Sequence, residues 1–72
     1  MNESEFLERF AEALGAPVED LAFETRFQEA FPVDSVAILS LIVLLDEMGR
    51  TVQGPVIRKC QTVREVFELA QA

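Results

Sequence analysis

The stretch Pro32-Val33-Asp34-Ser35-Val36-Ala37-Ile38-Leu39-Ser40-Leu41-Ile42-Val43-Leu44-Leu45-Asp46-Glu47-Met48-Gly49 reads as a sharp turn feeding straight into an apolar helix. Pro32 cannot sit in a helix interior, because its ring removes a donor and clashes with the preceding turn. Asp34 is a good N-cap, since its carboxylate can accept from the free N–H groups of the first turn. Gly49 stands where a left-handed residue closes such a helix. Ser35 is then the first helical residue, with its hydroxyl outside the packed body. A group attached there would lie beside the positive end of the helix, a position that suits a phosphate.

The helix that follows is apolar almost all round, more than one core contact requires. Ile38, Leu41, Ile42 and Leu45 share a face and are expected to point inward, each contributing about 1.5–3 kcal/mol if fully buried. Val36, Leu39 and Val43 share another face, on the side of Ser35. Two readings stand side by side. These residues either pack beneath the long connection that precedes the helix, or form an exposed seam that enters a groove on a partner.

Upstream, Asn2 can cap a first helix, with Glu5 three residues on completing a capping box. Phe6, Leu7, Phe10, Ala11 and Leu14 recur at helical spacing, and Glu5, Glu8, Arg9 and Glu12 take the wet side. Gly15 and Pro17 mark the end. Residues 16–34 form a long connection anchored by Leu21, Phe23, Phe27 and Phe31, in which Thr25 is expected to cap a short turn from Arg26 to Ala30. Without such anchors a connection of this length would be disordered. Downstream, Gly54-Pro55 opens a short helical turn over Val56 to Cys60 by placing proline in the first turn. Thr62, with Glu65 three residues on, caps a last helix whose inward stripe is Val63, Val66, Phe67 and Ala70, with Leu69 at its edge. The expected fold is all-α, a small bundle of three main helices plus one short helix with a long first connection.

Seventy-two residues form one small domain, taken as residues 1–72. Half of them are hydrophobic, enough for a core without staples, though one this small leaves only about 3–5 kcal/mol of net stability. The single Cys60 excludes an internal disulfide framework and fits a cytoplasmic chain. With no histidine, a zinc site could draw on one soft ligand at most, and no metal site is expected. The acidic N-terminus lacks the basic and apolar regions of a signal peptide. The apolar run Val36 to Leu45 is about half the length of roughly 20 residues that a membrane span needs. A chain that is not membrane-spanning, and monomeric, is expected.

The net charge of −7 is concentrated in residues 1–34, which hold nine of the thirteen acids against only Arg9 and Arg26. No basic stripe is present to displace phosphate counterions, so nucleic acid is excluded as a partner class. A partner with a basic surface is the better match.

An aspartate and serine followed by an aliphatic residue, at the head of the second main helix, resemble the acyl carrier protein family. The resemblance covers nearly the whole chain. Leu21, Thr25 and Phe27 fall on the family's loop anchors, and Phe31-Pro32-Val33-Asp34-Ser35-Val36 on its attachment motif. Leu41, Ile42 and Leu45 fall on core positions, Met48-Gly49 on the helix end, and Thr62-Val63 on the start of the final helix. Aspartate immediately before the serine favours an acyl carrier over a peptidyl carrier.

The resemblance implies that Ser35 carries a 4′-phosphopantetheine arm delivered from coenzyme A by a phosphopantetheinyl transferase. It further implies that Asp34 supports the transfer, and that the arm presents acyl chains as thioesters to acyl-loading and synthase enzymes of ketosynthase or acyltransferase type. The pathway would be fatty-acid, polyketide or related. The protein positions and addresses the cargo while the cofactor supplies the chemistry. Partner contacts are expected at Val36, Leu39, Ser40, Val43, Asp46 and Glu47.

Three departures from the family's pattern stand out. Pro32 replaces a usual glycine and stiffens the approach to the serine. The early acids of the second helix are Ala37 and Ser40 here. The usually acidic run into the third helix is Gly54-Pro55-Val56-Ile57, followed by Arg58-Lys59. These point to a dedicated synthase rather than generic fatty-acid partners.

Two alternatives belong to other classes. An unmodified carrier-like bundle would act purely as a protein-interaction module. A hydrolytic Ser35 would need a base, and the chain has no histidine to provide one. No catalytic residues are expected. Cys60 is expected to pack in the core.

Overall fold

The computed structural model describes residues 1–71. Five α-helices follow in order: α1 Glu3–Leu14, α2 Phe27–Ala30, α3 Ser35–Glu47, α4 Gly54–Arg58 and α5 Val63–Gln71, with a single 3-10 turn at Val18–Asp20. α1, α3 and α5 are the main helices. The turn expected over Arg26 to Ala30 is regular enough to form α2, and α4 begins two residues earlier than Val56.

Local chemistry sets the helix ends. The Asn2 side chain accepts from the Glu5 N–H at 2.8 Å, and the Asn2 N–H donates back to Glu5 at 3.2 Å, a complete capping box. α1 and α3 stop in the same way. Gly15 (φ 69°) and Gly49 (φ 90°) take the left-handed conformation. The next residues, Ala16 and Arg50, donate back to Ala11 and Leu45. This pattern satisfies the carbonyls a helix end leaves free. Thr62 Oγ1 accepts from Glu65 N–H at 3.3 Å, while the Glu65 carboxylate takes the N–H of Gln61 at 2.9 Å.

Thr25 does not cap α2. Its hydroxyl oxygen accepts from Ala22 N–H at 2.9 Å, while its own N–H donates to Ala22 at 3.1 Å. The side chain is thus spent closing the preceding turn, and Arg26 heads α2 without a side-chain capping bond.

Five of the six phenylalanines form the centre of the core. Phe6 lies 4.8 Å edge-on from Phe67 and 5.7 Å from Phe10; Phe10 meets Phe27 at 5.0 Å, and Phe23 meets Phe67 at 5.3 Å. α1, the long connection, α2 and α5 are therefore joined through rings that each remove a large apolar area from water. Leu41, Leu44 and Leu45 from α3, Ile57 from α4, and Val63 and Val66 from α5 complete the core, with Cys60 buried at its margin.

The long connection is strapped onto the start of α5. The Val63 and Arg64 N–H groups donate to the carbonyls of Thr25 (3.2 Å) and Phe23 (2.9 Å). The Arg64 guanidinium also lies 5.0 Å above the Phe23 ring and reaches Glu24 at 2.8 Å. Gln28 of α2 performs the matching task for α4. Its amide nitrogen donates to the carbonyls of Arg58 at 2.9 Å and Cys60 at 2.8 Å. Both elements flanking the entry to α3 are thereby held.

Candidate functional site

The path into α3 alternates. Phe31 and Val33 are half-buried and pack against the core, while Pro32 and Asp34 face outward. That period-two pattern is what extended backbone produces, and Phe31 is indeed extended (φ −137°, ψ 151°). Pro32 restricts its own φ and the conformation of Phe31 before it. The segment is pinned by two apolar side chains and then turns at Asp34, itself extended (φ −94°, ψ −175°).

The Asp34 carboxylate accepts from the Ala37 N–H at 2.9 Å, and the Asp34 carbonyl from the Ile38 N–H at 3.0 Å. Ser35 is the first residue of α3 and is exposed. Its side chain stands at the electropositive end of a 13-residue helix. The first N–H groups of a helix lack partners within it, and one Asp34 side chain covers only one of them. The free N–H groups of this first turn and the exposure of Ser35 fit a phosphodiester on its Oγ.

Along α3 the apolar residues separate cleanly. Ala37, Ile38, Leu41, Leu44 and Leu45 are buried, and Ile42 is half-buried against the core. Val36, Leu39 and Val43 are 69%, 60% and 54% exposed. They do not pack beneath the long connection, which lies against α5 instead. Ala37 is buried and belongs to the core. The reason is that α3 packs against both α1 and α4, so its inward arc is wide.

Ser40 is half-buried beside the exposed trio, and Asp46 and Glu47 are exposed at the far end of the helix. Glu47 is not free, since Arg9 of α1 donates to its carboxylate. At a rise of about 1.5 Å per residue, Val36 to Val43 extends about 10 Å from the Ser35 end.

A groove that chain order does not reveal runs beside this seam. α1 supplies Arg9, Glu12 and Ala13, and α3 supplies Val36, Leu39, Ser40, Val43 and Leu44. Arg9 and Glu12 are expected from the sequence only on the wet side of α1, and Ala13 has no role in that reading. The recurrence of these three at three- and four-residue spacing marks one side of α1, but the packing of α1 on α3 decides what that side meets. Cys60 is buried, its thiol 3.6 Å from the Val56 carbonyl. Burial, with a smaller contribution from the Glu65 charge, raises its pKa and keeps it a neutral thiol.

Among the described residues no cluster of three or more histidine, cysteine or carboxylate side chains could hold a metal ion, and no helix is long and apolar enough to cross a membrane. Neither the curated proteins nor the solved structures give a match to this chain. The family model for the phosphopantetheine attachment site does, over residues 4–70. That span runs from the first turn of α1 to the last turn of α5, and the all-helical fold agrees with it. The chain therefore belongs to the phosphopantetheine attachment family, as an acyl-carrier-type domain of the kind that holds a covalently attached 4′-phosphopantetheine.

Proposed function

We propose that residues 1–72 act as one carrier domain and that Ser35 is its attachment residue. The observation that carries the proposal is the combination of an exposed serine at the first position of α3 with an aspartate cap immediately before it. Of the chain's three serines, Ser40 is half-buried mid-helix and Ser4, though exposed in the first turn of α1, follows Glu3; only Ser35 stands at the first helical position directly after a capping aspartate.

Ser35 provides the oxygen that joins the phosphate. Asp34 fixes the turn that aims this oxygen outward, and its exposed carboxylate is open to a transferase and its magnesium. When bound, the arm supplies a terminal thiol that holds an acyl group as a thioester. The bundle's own residues contribute placement, and tethering raises the concentration of cargo at each partner's active site.

The exposed seam of Val36, Leu39 and Val43, with Ser40 beside it and Asp46 and Glu47 at its far end, is the contact surface for partner enzymes. Three large apolar side chains on one face of a helix are unusual without a partner to cover them. Because residues 35–45 carry no charge, this surface suits a dedicated synthase of a fatty-acid, polyketide or related pathway. Restored turnover in a generic fatty-acid synthase system at ordinary carrier rates would contradict that specialisation. The domain acts in the cytoplasm as a monomer.

The test of attachment is intact-protein mass after incubation with coenzyme A, magnesium and a broad-specificity phosphopantetheinyl transferase. The parent should gain one phosphopantetheine and Ser35→Ala none. A folded parent that gains nothing with several transferases would leave an unmodified interaction module as the better account.

A further inference from the structure

The seam on α3 is apolar, and apart from Asp34, the cap beside Ser35, the charges that line the groove along it come from α1. Asp46 and Glu47 lie eleven and twelve residues beyond Ser35, about 16–18 Å along the axis. Glu12 of α1, by contrast, lines the same groove as Val36 and Leu39, and its side chain is 78% exposed. Arg9 is the cation of this region. It is bonded to Glu47 and lies 3.8 Å from Glu12, so the three side chains together keep a net charge of −1. Glu5 and Glu8 continue the acidic surface along α1 through a second groove that shares Arg9 and Glu12 with the first. A body seated on Val36 and Val43 therefore meets α1 as well as α3, and the charge it meets there is negative.

From this juxtaposition we infer that the transferase that loads Ser35 docks astride the groove between α1 and α3. It sets an apolar edge against Val36, Leu39 and Val43, and a lysine or arginine opposite Glu12. The inference rests on the assignment of Ser35 as the attachment residue. Apolar burial supplies the holding contact, while the charge on α1 sets orientation and the rate of encounter. Glu12 acts here as a docking residue and takes no part in the transfer.

The experiment is steady-state loading of the full chain by a broad-specificity phosphopantetheinyl transferase with coenzyme A and magnesium, at low and high salt. The parent is compared with Glu12→Gln, Glu12→Lys, Leu39→Glu and, on the remote face of α5, Glu68→Lys. Circular dichroism checks that each is folded. Glu12→Lys should raise the KM for the carrier about tenfold with kcat unchanged and flatten its salt dependence. Glu12→Gln should have a smaller effect in the same direction, and Glu68→Lys none. If Glu12→Lys matches the parent while Leu39→Glu raises KM, docking is confined to α3, and the inference fails while Ser35 keeps its role. If Glu68→Lys weakens loading as much as Glu12→Lys, the effect is one of net charge and the inference also fails. A parent that is not loaded at all overturns the assignment of Ser35 itself.

Discussion

The two sides of α3 are made of the same kinds of residue and have opposite fates. Ile38, Leu41, Leu44 and Leu45 are buried, while Val36, Leu39 and Val43 are more than half exposed. At about 100° per residue the exposed three fall within an arc of about 60°, opposite the centre of the buried arc. Hydrophobicity therefore does not distinguish the core from the exposed seam in this helix. The distinction comes from where α1 and α4 stand, and the uncovered arc begins beside Ser35. An apolar surface kept in water next to the proposed attachment residue is what a surface covered from outside by a partner would leave.

Substitutions along α3 can break this comparison. Leu41→Ala or Leu45→Ala should lower stability by about 2–5 kcal/mol in a denaturant titration, because each empties a fully buried site. Leu39→Ala and Val43→Ala should stay within about 0.5 kcal/mol of the parent. Equal losses on both sides would mean that the seam is covered in the free protein.

A smaller effect is expected at the elements that hold the approach to α3. Gln28→Ala removes two hydrogen bonds to carbonyls at the end of α4 and should cost about 1–2 kcal/mol. Asp34→Ala should cost about 1 kcal/mol through the lost cap. Its loading by a transferase should fall much further than that stability loss explains. If loading stays at the parental rate, Asp34 is a cap alone.

The smallest effect belongs to Cys60. Its pKa is raised in the folded state, chiefly by burial. On raising the pH, the unfolded chain gives up this proton first, so stability should fall through the alkaline range above the thiol's ordinary pKa. The decline should level off once the folded thiol also ionises. Cys60→Val should flatten that decline, and the parent thiol should react with an aromatic disulfide reagent only as fast as the protein opens. Rapid labelling of the folded chain would contradict the buried, neutral thiol.

Much of this was legible in the sequence wherever the signal is local. Asn2 with Glu5, Asp34 before Ser35, Gly15 and Gly49 each act within a few residues, and each forms the cap that its chemistry implies. The buried phenylalanines of the long connection were legible because a connection of that length needs anchors. What chain order hid depends on distant partners. Thr25 had two turns within reach and closed the earlier one. Ala37, which stands where the family has an early acid, is covered by the packing around α3. Gln28 bonds to residues 30 and 32 positions away, and Glu12 meets the seam only because α1 lies against α3.

The central claim is that the arm is attached at Ser35, and fragment mapping tests it most directly. Cleavage after Arg26 and Arg50 releases residues 27–50, a fragment that contains both Ser35 and Ser40 as its only hydroxyl residues. After loading from coenzyme A, tandem mass spectrometry of this fragment should place the phosphopantetheine on Ser35, with Ser40 unmodified. Modification at Ser40 or outside this fragment, or an unmodified fragment from a folded and fully treated sample, would contradict the account.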